Sequence, residues 1–176
     1  IMTYKKLPLV FLFLCFSILC YGQNIFENPI TDQNPSNANP YTNGQVIDPN
    51  ITVSGIGRGP GINANNGQDR YNANNWDSIT FDPDDYFEFI ITPIAGYEID
   101  FINFIYTGEI SNRGPVNFHF RSSLDGFVND IGIPIVNGTT ITIDLSSTTF
   151  QNIDSSITFR FYSWGAVKAN GNPNPN

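Results

Sequence analysis

Beyond residue 20 this chain has no cysteine; its two, Cys15 and Cys20, both lie near the N terminus. Disulfides, thiolate metal sites and a cysteine nucleophile are therefore excluded from the body of the protein. Charge is scarce too, at 14% of residues, and it leans acidic, with 16 Asp and Glu against 8 Lys and Arg for a formal net charge of -8. That balance repels phosphate backbones, so no nucleic-acid partner is expected. There is one histidine, His119, and no Gly-x-Ser-x-Gly motif to supply a nucleophile for it. No catalytic residue is assigned. The glycines at 55, 57, 59 and 61 are not a phosphate loop, because no Gly-Lys-Ser/Thr ending and no helix pattern follow them. Internal repeats are absent, as is any amphipathic helix pattern longer than the turn or two that residues 148–153 allow.

What is present in quantity is turn formers and rings: 15 Gly, 12 Pro, many Asn, and aromatics at 14%. This is the composition of a turn-rich β protein. A length of 176 residues suits one domain with a real core. Lys5 and Lys6 precede an apolar run over 7–20 and then Tyr21, Gly22 and Gln23. The run is short of the about 20 residues a membrane helix needs. It reads as a secretory signal peptide cleaved after Gly22, giving a secreted or cell-surface protein with no membrane span in the mature chain. An uncleaved anchor and a lipidated Cys20 are the alternatives, and Leu19 fits the second poorly because a small residue belongs directly before a lipidated cysteine.

The expected division is a signal peptide over 1–22, an extended N-terminal arm over 23–45, a β-sandwich over 46–166 and a disordered tail over 167–176. The arm is dense in Asn, Pro and Thr around a small apolar island, Ile25 and Phe26, which is expected to dock on the body. Ile51 and Val53 begin the first body strand, and 63–77 reads as a polar loop carrying Arg70, Tyr71 and Trp76. Alternation predicts a half-buried strand over 86–93, with Phe87, Phe89 and Ile91 on one face. Residues 97–106 are apolar on both faces, so a doubly buried or bulged strand is expected there. Strands follow over 116–122, with Val116, Phe118 and Phe120 inward, and over 131–135. Two more follow over 140–145 and 157–164, the last with Ile157, Phe159 and Phe161 inward. Ala95-Gly96, Arg113-Gly114-Pro115, Asp125-Gly126 and Asn137-Gly138 mark turns between them.

Seven or so strands punctuated in this way predict an all-β, antiparallel, jelly-roll-like β-sandwich. The tail beyond Trp164 is too rich in Asn, Gly and Pro to form a central strand. With Ile1 standing before Met2, it suggests a chain cut short and a sandwich lacking its last strand.

The order YFEFIITPIAGYEID (86–100), RGPVNFHFRSSLDGF (113–127) and ITFRFYSWGA (157–166) resembles a β-sandwich module of secreted bacterial surface proteins of the Bacteroidota type, which often carry C-terminal sorting signals. The resemblance covers about residues 25–166, and RSSLDGF and FRFY are its most specific blocks. It implies fold and cell-surface context and little chemistry. Members of that group continue past the WGA block into a Thr-Phe-x-Ile-Asp strand and a sorting domain, and this chain lacks both.

Two candidate sites follow. Period-two alternation puts His119 and Arg121 opposite the core, and puts Arg160, Tyr162 and Trp164 on the non-core face of the last strand. If those strands are neighbours, Asn117, His119, Arg121, Arg160, Tyr162 and Trp164 share one surface. Flat rings beside hydrogen-bonding groups suit a sugar, so a polysaccharide or surface glycan is the candidate partner. The competing reading is structural: the arginines pair with carboxylates such as Glu88, and Tyr162 and Trp164 pack beneath the arm. Asp82, Asp84 and Asp85 crowd one turn and could hold a structural Ca²⁺, although aspartate favours turns on its own account and no EF-hand spacing is present. Asp77-Ser78-Ile79 resembles a bacterial O-glycosylation sequon. The expected function is a non-catalytic secreted or cell-surface binding or adhesion module, with carbohydrate as candidate ligand. An accessory domain of a larger extracellular hydrolase or nuclease, or a purely structural stalk, is the alternative.

Overall fold

The computed structural model describes residues 22–76, 78–167 and 172. The candidate signal segment up to residue 21, Asp77 of the sequon and most of the tail lie outside the described residues. Among the described residues there are eleven strands: β1 (Phe26–Glu27), β2 (Val46–Ile47), β3 (Ile51–Val53), β4 (Gly57–Arg58), β5 (Asn63–Ala64), β6 (Ala73–Asn74), β7 (Tyr86–Pro93), β8 (Asn103–Thr107), β9 (Asn117–Ser122), β10 (Thr140–Asp144) and β11 (Ile157–Trp164). All pairings are antiparallel. The main sheet runs β3-β7-β11-β9, with β4 also on β7, and β8 pairs with β10 in a second sheet. From β7 onward every step along the chain crosses between these sheets, and β11 returns to lie between β7 and β9. This is the wrapping of a jelly-roll-like sandwich.

The alternation read from the sequence explains why the layers close. Phe89 of β7, Phe159 of β11 and Phe120 of β9 all face inward, and Phe104 of β8 meets them from the other sheet. Phe104 stacks on Phe120 with ring centroids 4.5 Å apart, and Phe159 stacks on Phe89 and on Phe120 at 5.4 Å each. Phe120 and Ile157 are 0% exposed and Phe159 1%. Each fully buried ring contributes roughly 1.5–3 kcal/mol by area, with more from ring geometry. The arm's island joins the same core: Ile25 and Phe26 pack against it, with Phe26 5.9 Å from Phe89, while β1 pairs with β2.

A second, smaller cluster holds Ile62, Trp76 and Ala166 with Phe87 against it. Residues 63–77 are therefore more than a polar loop, because β5 and β6 make a short hairpin there and Trp76 is 7% exposed. Arg58 ties this region together. Buried at 8% exposure, it donates to the carbonyls of Asn72 and Ala38, and its guanidinium lies 3.7 Å from the centre of the Tyr71 ring. Burial lowers the pKa of Arg58 and raises that of Tyr71. The glycine run serves close approach: a Cβ at Gly59 would collide with the Asp84 carbonyl, and one at Gly61 with the Asp85 carboxylate.

Three strand expectations are corrected. Residues 131–135 form no strand: Pro134 carries no N–H, and the Ile135 N–H and C=O both bond the Tyr106 hydroxyl, at 3.0 and 2.7 Å. Val116 is not inward but 67% exposed, because the inward alternation starts only at Phe118. Over 97–106 the ladder of β8 begins only at Asn103, after an isolated bridge from Ile99 to Ile153, and Ile102 and Ile105 are exposed. A two-stranded sheet covers the core on one side only, so its outer apolar residues have nothing to pack against.

Candidate functional site

The register of β11 against β9 sets Tyr162 opposite His119, Arg160 opposite Arg121 and Trp164 opposite Asn117. Residues opposite one another share a face, so all six sequence-selected residues do lie on the outer face of the main sheet. They do not form an open platform. The N–H of Gly165 donates to Ser78 and that of Ala166 to Trp76, each at 2.9 Å, and this draws the following loop over the strand ends. Phe81 at its tip sits on the face, with ring centroids 5.2 Å from Tyr162, 5.4 Å from His119 and 5.6 Å from Trp164. Tyr162 is consequently 2% exposed and has no ring face to offer a sugar. The cover is this loop and not the N-terminal arm, which docks on the core side.

Ion pairs occupy the rest of the face. Arg160 donates to Glu88 at 3.0 Å across the β7–β11 pair and lies over the rings of Tyr86 and Phe127 at 4.0 and 4.2 Å. Its pKa rises: burial opposes the change, but hydrogen bonds to Tyr162 and Glu88 outweigh it. Arg121 donates to Asp130 at 2.7 Å and to the Phe127 carbonyl at 3.1 Å. Asp130 also places its second oxygen 2.6 Å from His119 Nδ1, close enough for an ion pair though not aligned as a hydrogen bond. Sequence reasoning did not pick out Asp130. The signal available was a lone aspartate beyond the Asp125-Gly126 turn, which the turn folds back alongside β9.

In the candidate calcium turn the Asp82 carboxylate and the Asp85 backbone have other work. Asp82 accepts from Ser78 Oγ at 3.1 Å and from the Asp84 N–H at 2.9 Å, and Asp85 is buried at 2% exposure with its carbonyl accepting from Ser163. Among the described residues no three His, Cys, Asp or Glu side chains gather in a group able to hold a metal ion. Asp82, Asp84 and Asp85 do not make such a group by themselves; they belong to the turn that follows Phe81.

One part of the face does stay open. Asn117, His119 and Trp164 line a groove of about 520 Å³, together with Phe118, Ile110 and residues 134–136. His119 and Phe118 point to opposite faces of β9, so a groove lined by both runs along the strand's outer edge. The imidazole of His119 lies 4.6 Å from the indole of Trp164. The site can therefore offer an aromatic wall, an amide, an imidazole and several aliphatic side chains. No family model matches the chain, and neither a curated protein nor a solved structure is found similar to it.

Proposed function

We propose that this chain is a non-catalytic binding or adhesion module of a secreted or surface-exposed protein, and that its ligand sits in the groove along the outer edge of β9. The observation that carries the reading is the meeting of Asn117, His119 and Trp164 with exposed aliphatic side chains in one open groove, while the rest of the face is covered. Open, largely apolar grooves with a few polar groups are the usual seats of ligands. The basic lead and apolar run over 5–20 support the secreted setting, as does the resemblance to bacterial surface modules. A catalytic role for His119 has less support, because the charge of the carboxylate beside it, Asp130, is shared with Arg121.

Carbohydrate is the first ligand class to test, because the ring of Trp164 edges the groove beside the Asn117 amide. The test is a glycan array probed with the intact protein and with Val116→Lys and Asn117→Ala, two exposed groove positions. Glycans retained by the parent and lost by both variants support a sugar in the groove. Glycans retained equally by all three place any sugar site elsewhere.

A further inference from the structure

The groove follows a strand edge that the fold leaves unfinished. β9 is the last strand of the main sheet, with β11 on one side and, among the described residues, no strand on the other. On that outer side the carbonyls of Ser122 and Phe120 accept from Phe127 at 2.9 Å and from Ile131 at 2.7 Å. Alternation along the strand sends the backbone groups of Phe118 the same way, and among the described residues they meet no backbone partner. The segment that starts to pair with β9 at Ile131 then leaves it, because Pro134 has no N–H to give and Tyr106 holds both polar groups of Ile135. What opens between is a slot. One wall has the unpartnered main-chain N–H and C=O of Phe118, and both walls carry aliphatic side chains, Val116 and Ile135 being 67% and 43% exposed.

We infer that the occupant of this groove is an extended peptide segment of another protein, apolar at alternate positions and neutral or basic, which adds to β9 as a further strand. This rests on the groove being the ligand seat. The main-chain groups at Phe118 are what a strand, and not a sugar, completes. A bare stretch of strand edge without lysine or proline is a template for pairing, and 117–119, where this edge is bare, carries neither. Charge selects the partner: with a formal net charge of -8 on each copy, a second copy of this chain is repelled and a neutral or basic segment is not.

The experiment is a random dodecapeptide display library panned on the intact protein, followed by titration of the selected peptides and of their alternate N-methylated analogues. Strand addition predicts selected peptides with alternating apolar residues, binding at least about tenfold weakened by N-methylation on one set of alternate positions and hardly changed on the other. Val116→Lys should weaken the same peptides about as much, while Val128→Lys, an exposed position outside the groove, leaves them unchanged. Peptides that lose binding in Val116→Lys yet bind equally when N-methylated on either set overturn strand addition and keep the groove as the seat. A library that yields no peptide, beside glycans lost in Val116→Lys, overturns the peptide in favour of a sugar. Ligands of either class indifferent to Val116→Lys overturn both the inference and the groove.

Discussion

On the inner face of the main sheet Phe89, Phe120 and Phe159 stack on one another and on Phe104; on the outer face Tyr86, Tyr162 and Trp164 alternate with Arg160, Arg121 and His119. Both faces are aromatic, but the inner one is closed by a second sheet, whereas a loop bearing Phe81 and a turn bearing Phe127 close the outer one. Phe89, Phe120 and Phe159 lie in a cluster of hydrophobic side chains, so they contribute by area and stacking. On the outer face each ring is paired with a cation or a polar tip, and several of those groups are still reached by water. The same period-two pattern generates both faces. What covers each one decides whether its residues are core, scaffold or site.

The contrast predicts a ranking of effects. Phe159→Ala, on the inner face, should cost about 3–5 kcal/mol in denaturant unfolding, as expected for a large ring removed from a closed core. A cost below about 1 kcal/mol would mean the inner layers are not packed as described. Phe81→Ala, on the outer face, should cost about 1–2 kcal/mol, because a ring in contact with three others and with Arg121 is only partly buried. It should also raise the quenching of Trp164 fluorescence by acrylamide, and unchanged quenching would remove the loop as the cover.

Alkaline titration sharpens the comparison further. Tyr71, Tyr86 and Tyr106 are all raised above the ordinary value of 10.0, in each case chiefly by burial. A raised folded value means the unfolded chain loses these protons first. The stability is therefore complete below pH 10 and falls as pH rises through the folded values. Phenolate absorbance should show three tyrosines ionising late and together with unfolding. Ionisation of all tyrosines near pH 10 in a still-folded protein would contradict it. The smallest effect is expected from Asp130→Asn, about 0–1 kcal/mol, since its side chain is 39% exposed and its pairs are screened. Its signature is instead a change in the His119 ring resonances without loss of fold.

Much of the fold was legible because alternating runs are long in the right places. β7 and β11 occupy the residues expected of them, and their inward rings are those the alternation selects. Failures occurred where apolar content alone suggested a strand. Residues 131–135 read as one, but a proline and a tyrosine hydroxyl from a distant strand took the backbone groups a ladder needs. For the site, alternation correctly put six residues on one face. It could not reveal that Phe81, some forty to eighty residues away in the chain, lies against four of them, nor that Asp130 folds back to His119.

Composition and period-two patterning by themselves determined an antiparallel β protein with no cysteine beyond residue 20 and the faces of its main strands, because side-chain direction along a strand is a local property of the backbone. Tertiary structure alone decided which of those residues remain accessible and which strand edge stays open. Cover and edge pairing depend on segments distant in the chain, whose meeting no local pattern encodes.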